Sequence, residues 1–254
     1  MREGKEHVGL VAALPQECRG ILSWPGWRKS KEGGEIRILE LETEGRLLRL
    51  AISGMGRRRA LKALDELLDG VSPSWVISFG FAGALDSSLR VGDVLRVARV
   101  LGWSGPGQLL EGPPLYEPPG VTWLETATMV SVPGFVSKGE VRRDLRGDLG
   151  PCLLDLESLA LAEEALARGV RLLGVRAVSD ELGLDLGPQV ARWVDEDLKV
   201  RASRLLLSTL KRPGDLLLMS RLWARSRVAS RALGRELARL LAVPYHGPGP
   251  GASG

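Results

Sequence analysis

Histidine and cysteine are almost missing from this sequence. Of its 254 residues two are histidines, His7 and His246, and both lie near the ends. A catalytic triad or a histidine-based metal site gathers imidazoles from several places along a chain, so neither is expected here. The two cysteines, Cys18 and Cys152, fit no CxxC or zinc spacing and make no disulfide scaffold; a reducing cytoplasm is the simple expectation. No apolar run approaches the roughly 18 residues that read as a membrane span, and the first residues are not a basic-then-apolar leader, so neither spanning nor export is expected. A GxxxxGK[ST] phosphate loop is absent as well. With imidazole and thiol chemistry set aside, acid–base work in this protein has to run on carboxylates.

The residues present describe an ordinary globular chain, long enough for one sizeable core. Val- and Leu-rich runs such as "HVGLVAAL" (7–14) and "SWVISFG" (74–80) read as buried strands. "EIRILELETEGRLLRLAIS" (35–53) breaks at Glu44-Gly45 and reads as a hairpin, and "VGDVLRVARVLG" (91–102) supplies one or two further strands. "RRRALKALDELLDG" (57–70) has apolar residues at helical spacing and a stop at Gly70. The Pro- and Gly-rich stretch 103–123 reads as a long loop or flap. "LLDLESLALAEEALARGVRLLGVRAVSD" reads as strand, helix and strand, expected to form a crossover between parallel strands. Such alternation predicts one α/β domain over residues 1–246, with a central twisted mixed sheet flanked by helices. Residues 195–242 would be a helical C-terminal extension, and 247–254 a disordered tail.

Net charge is +4, and the basic residues crowd 54–62 and the C-terminal third, where Arg221, Arg225, Arg227, Arg231, Arg235 and Arg239 recur near helical spacing. A solvated helix face is the plainer reading, and an acidic partner such as an anionic membrane surface the sharper one. Nucleic acid is not expected, because aromatic residues are not interleaved with the arginines.

In open α/β sheets, ligands bind beyond the carboxyl ends of the strands. Several features fall at such ends: Glu17 after the first strand, "SGMG" (53–56), "GFAGALD" (80–86), Glu157 at a helix start, and Asp180 just past "LLGVRAVS". Taken singly, each acid reads as a cap or loop charge, and the glycine pairs as a loose dinucleotide fingerprint or as room for a ligand near the backbone. Their joint placement points to one rim.

In order along the chain, "GLVAALPQEC", "SGMG", "FGFAGALDSSLRVGDVL", "LDLES" with Glu157, and "VRAVSD" span roughly residues 7–185. Together they resemble the purine nucleoside phosphorylase/nucleosidase superfamily, on the side of the methylthioadenosine/S-adenosylhomocysteine nucleosidases. The segment "LKRPGDLLLMSRLWARSRVASRAL" resembles the tail of the hopanoid-associated, adenosylhopane-cleaving branch. The resemblance implies the three-layer α/β/α nucleoside phosphorylase-like fold. It implies cleavage of a purine–ribose bond, adenine being the base, with no cofactor, phosphate being the alternative co-substrate to water. Asp180 would protonate the base, Glu157 hold the ribose, and Glu17 polarise a water. Arg176 and Ser179 would orient the acids, and Phe135 and Val136 would stack on and bond to the base. Leu156, in place of a usual Met, together with Ser53, Gly54, Gly80, Phe81 and Ala82, would complete the binding surface. Phosphorylases of the superfamily carry an Arg and a Ser near the glycine turn; Ser78 and Phe81 stand at those places, which favours water. Arg57, Arg58 or Arg59 could offer a substitute phosphate site. A nucleoside partner, a homodimer or larger assembly, and peripheral membrane contact through the basic C-terminal helix complete the expectation.

Overall fold

The computed structural model describes residues 5–30, 35–185, 187–191, 193–195, 198 and 214–242. The first strand, β1 (Glu6–Ala12), buries Val8, Leu10, Val11 and Ala12, so both of its faces are covered, as its uninterrupted apolar run requires. A short helix, α1 (Arg19–Leu22), and a two-residue strand, β2 (Arg28–Lys29), lead into the hairpin of β3 (Arg37–Thr43) and β4 (Arg46–Ile52). The hairpin turns at Glu44-Gly45, as expected, with Gly45 at φ 79°. Helix α2 (Arg57–Leu68) turns Ala60, Ala63, Leu64 and Leu67 inward, at the 3–4 residue spacing that makes one apolar stripe.

Strand β5 (Trp75–Ala84) is the spine of the sheet. It lies parallel to β1 on one side and to β10 (Leu172–Asp180) on the other. Next come β6 (Val94–Gly105), β7 (Gln108–Glu111), β8 (Glu125–Ser131), α3 (Lys138–Asp144), β9 (Cys152–Asp155) and α4 (Ser158–Ala167). Beyond β10 lie α5 (Gly187–Val190) and a long helix, α6 (Gly214–Leu241). The sheet runs β10-β6-β8-β9-β5-β1-β4-β3-β2, and β10 also pairs with β5. That extra pairing curls the sheet, closing β5, β10, β6, β8 and β9 into a ring. Helices α1 and α6 cover one face through Ile21, Ala229, Leu233 and Leu237. On the other face α2 and α4 pack Ala63, Leu64, Leu161 and Ala165 against Val11, Ala51 and Val76. Each fully buried Leu of this kind contributes about 1.5–3 kcal/mol by leaving water.

Three expectations need correction. Part of 103–123 is regular: β6 continues to Gly105, Pro106-Gly107 makes a two-residue turn, and β7 returns antiparallel. Proline and glycine sit only at the turn there, where a hairpin wants them. From Gly112 onward the segment is irregular, as expected. Residues 125–131, which no sequence argument singled out, form β8 at the centre of the ring. Finally, β9 and β10 are not a parallel pair. β9 runs antiparallel to β5 whereas β10 runs parallel to it, because β5 is long enough to take β1 along its first half and β9 at its tip.

The arginines of α6 behave largely as a solvated face: Arg221, Arg231, Arg235 and Arg239 are exposed. Arg227 stacks on Trp223 at 4.7 Å and Arg239 on Trp123 at 4.2 Å. The other half of α6 belongs to the main core. The tail 247–254 and much of 195–213 lie outside the described residues.

Candidate active site

Strands β1, β4, β5 and β10 are mutually parallel, so their carboxyl ends share one rim. The chain leaves β1 into a tight turn at Pro15–Cys18, which aims Glu17 back over the sheet. Glu17 is buried. One carboxylate oxygen accepts the Leu14 N–H at 2.7 Å, and the other the Phe81 N–H at 2.9 Å. It lies directly over Gly80, where an added Cβ would stand 2.7 Å from Oε1, so the close approach needs glycine. Burial pushes the Glu17 carboxyl above its ordinary range, against the pull of those two N–H donors and of Arg176.

Glu157 reaches the same cleft by the antiparallel run of β9. Leu154 pairs with Gly83 and Leu153 with Ala84, so each further residue steps back along β5 toward Gly80. Glu157 begins α4, and its Oε1 accepts the N–H of Gly56 at 2.6 Å. Gly56 caps the start of α2 at φ 99°, so the carboxyl meets the positive end of a helix. Burial first, then the neighbouring Asp155 charge, nonetheless push its pKa up to about 8, with Glu17 adding to the rise.

Beneath the two acids lies a buried polar network. Arg176 of β10 donates to Ser78 Oγ at 2.9 Å, the Ser78 carbonyl at 2.8 Å, Asp155 Oδ2 at 3.1 Å and Ser158 Oγ at 2.8 Å. Asp155 in turn accepts the Ser158 hydroxyl at 2.5 Å. Asp155, Ser158, Ser78 and Arg176 are all buried, so the ion pair is kept by full hydrogen bonding on every side. Asp155 and Ser158 escaped the sequence reading. The only local signal was a helix-cap pattern, an acid followed three residues later by Ser158, whose N–H Asp155 Oδ1 accepts at 3.2 Å.

One cleft is lined by Glu17, Glu157, Arg176, Ser53, Gly80 and Phe81, together with Ser78 and apolar neighbours. Two of the three proposed acids therefore meet. Asp180 does not line this cleft. It lies farther along the same rim, paired in register with Gly83, three residues beyond Gly80 and so about 10 Å along the strand. It is buried, and its Oδ1 accepts the Ser179 hydroxyl at 2.7 Å; Ser179 also reaches the Ala82 carbonyl at 3.3 Å. Only the route is corrected: Glu157 comes to the rim by an antiparallel strand, β9, and not by a parallel crossover, and it shares the cleft with Glu17.

Gly54, Ala82, Phe135, Val136 and Leu156 also stand outside the cleft lining. Gly54 carries the Arg59 guanidinium, which an added Cβ would meet at 2.5 Å. Val136 and Leu156 are half-buried against an apolar cluster that includes Leu85, Val130 and Val141, and Phe135 is half-buried as well. The Val136 carbonyl abuts Gly187, where an added Cβ would come within 1.9 Å of it. Arg57 faces outward toward Glu163. Among the described residues no group of three or more His, Cys, Asp or Glu could hold a metal ion.

Four parallel strand ends thus converge on a cleft with two buried carboxylates. Residues 7–211 match the model of the phosphorylase superfamily, and the chain belongs to that superfamily. Within it, the chain is similar to the 5′-methylthioadenosine/S-adenosylhomocysteine nucleosidase of Halalkalibacterium halodurans, with 26% identity over 82% of this chain and 99% of that one. Its fold is similar to the Neisseria meningitidis nucleosidase of the same name in complex with methylthio-immucillin-A (TM-score 0.67, 17% identity, 93% and 98% of the chains covered). It is also similar to futalosine hydrolase of Helicobacter pylori (TM-score 0.66, 13% identity, 93% and 97% covered).

Proposed function

We propose that this protein cleaves the N-glycosidic bond of an adenine nucleoside and releases the base, with water as the attacking group. The carrying observation is the cleft in which Glu17 and Glu157 converge over Gly80 and Gly56 at parallel strand ends. Glu157 grips the ribose hydroxyls. A carboxyl with a pKa of about 8 gives up its proton at little cost when a cationic ribose develops beside it, and the resulting charge stabilises that ribose. Glu17, raised by burial, polarises the water. Asp180 protonates N7 of the departing purine, since an anionic purine leaves poorly. Ser179 orients that acid, Arg176 the cleft acids, Phe135 and Val136 receive the base, and Ser53, Gly54, Gly80, Phe81, Ala82 and Leu156 shape the surface.

The choice of water rests on the cation supply. Arg176 is the only cation among the described residues lining the cleft, and Ser78, Asp155 and Ser158 already engage its guanidinium. Ser78 has its hydroxyl on Arg176, and Phe81 has none. A phosphate dianion would find no free partner there.

The test is incubation with 5′-methylthioadenosine, S-adenosylhomocysteine and other adenine nucleosides, with and without phosphate, followed by chromatography. Free adenine and ribose products are expected, Asp180→Asn abolishing both. Ribose 1-phosphate would reverse the choice of nucleophile, and absence of base release would overturn the reading. An adenosylhopane-type substrate remains the second candidate for the 5′ group. The segment that suggests it, 210–233, lies partly outside the described residues. For such a substrate, the exposed Trp223 and Val228 on basic α6 supply a membrane-facing surface. Co-sedimentation with anionic liposomes tests that contact, and size-exclusion chromatography tests the homo-oligomer. Cytoplasmic residence completes the proposal. Among the described residues no helix is long and apolar enough to cross a membrane.

A further inference from the structure

Lysine is seldom buried, because an ammonium taken from water must find an acceptor for each of its protons. Lys138, the first residue of α3, is 3% exposed. Its Nζ carries three protons and meets three acceptors: Asp180 Oδ2 at 2.5 Å, the Asp180 carbonyl at 3.0 Å and the Glu181 carbonyl at 2.9 Å. The approach is built in. An added Cβ at Gly83 would stand 2.9 Å from Lys138 Cε and 3.0 Å from Asp180 Oδ2. Asp185 holds the start of α3 in place, accepting the Ser137 hydroxyl at 2.5 Å and the Lys138 N–H at 3.3 Å. Since Ser179 bonds Asp180 Oδ1, both oxygens of the proposed acid already accept hydrogen bonds, one of them from a cation.

Resting on the hydrolase reading above, we propose that Lys138 is the positioning residue for Asp180 and the store of the proton that Asp180 delivers. As the C–N bond breaks, its electron pair passes to the purine; in the same step one proton passes from Lys138 Nζ to Asp180 Oδ2 and one from Asp180 to N7. A neutral purine departs, leaving a carboxylate and an uncharged amine. Solvent returns a proton to Lys138, balanced by the one that the attacking water loses by way of Glu17. Other groups facing the pair are Glu181, through its carbonyl, Ser179, and Asp185, whose carboxyl is occupied by Ser137 and the Lys138 N–H. Glu17, Glu157, Asp155 and Arg176 make no hydrogen bond to it among the described residues.

The experiment compares two leaving groups on the same sugar: adenine, in 5′-methylthioadenosine, and 4-nitrophenol, in the corresponding 4-nitrophenyl 5-methylthioriboside. Nitrophenolate leaves without a proton. Lys138→Met removes the ammonium. Lys138→Arg keeps a cation that does not give up its proton at any pH of interest. Both variants should lose about 10²- to 10⁴-fold in kcat for adenine release, the usual worth of a general acid, and retain nitrophenol release. The alkaline limb of the adenine profile should move to lower pH in Lys138→Met. Should Lys138→Met fail to fold, as melting would reveal, Lys138→Arg alone decides the matter. Equal losses on both substrates, full adenine release by Lys138→Arg, or an unmoved alkaline limb would each overturn the inference while leaving the hydrolase reading intact. A wild-type protein that releases no adenine from any nucleoside would overturn both.

Discussion

Replacing Glu157 with Gln isolates the cost of holding a carboxyl in this cleft. Glutamine keeps the oxygen that accepts the Gly56 N–H and fills nearly the same volume, but it never ionises. The folded wild type keeps the Glu157 proton up to a pH of about 8, whereas the unfolded chain releases it near 4.5, the ordinary value for a glutamate. Between those limits the folded state binds more protons than the unfolded one, so wild-type stability falls as pH rises. Each pH unit across that window costs about 1.4 kcal/mol, and the full interval sums to roughly 4–5 kcal/mol, a large share of a typical 5–15 kcal/mol stability. Glu17 is present in both proteins, and its contribution to the raised Glu157 pKa is part of the difference that is read. Urea melts of the two side by side should coincide near pH 4.5 and diverge toward pH 8, with the Gln variant the more stable. Parallel profiles over that range would refute the claim that burial and Asp155 raise this carboxyl.

Further outcomes follow from the same geometry. Asp155→Ala leaves the buried Arg176 guanidinium without its carboxylate, which should cost about 3–5 kcal/mol and lower Tm by roughly 10 °C. Gly80→Ala pushes a methyl against the Glu17 carboxylate; melting should change little while adenine release falls at least about 100-fold. Gly187→Ala drives a Cβ into the Val136 carbonyl and should raise KM for the nucleoside by displacing the segment proposed to receive the base. Unchanged kinetics in either glycine variant would show that the contact is not needed for the site.

Where local pattern decides structure, the sequence was sufficient. The buried strands β1 and β5, the β3–β4 hairpin with its Gly45 turn and the amphipathic α2 follow from apolar periodicity and turn chemistry, both confined to a few neighbouring residues. The placing of Glu17, "SGMG", "GFAG" and Asp180 at strand ends was legible for the same reason, and the parallel pairing of β1, β4, β5 and β10 makes those ends one rim. Strand direction was not legible. Whether β9 runs with or against β10 depends on how far β5 projects past its neighbours, a pairing between residues about 70 positions apart, and on the closure of the ring. That closure decided the site's composition. It brought Glu157 beside Glu17, put Asp155 and Ser158 on Arg176, and delivered Lys138 from a separate helix to Asp180. A sequence carries the kinds of acid available, because chemistry belongs to single residues. Which acids share a desolvated space, and which cation each one meets, is set by long-range packing.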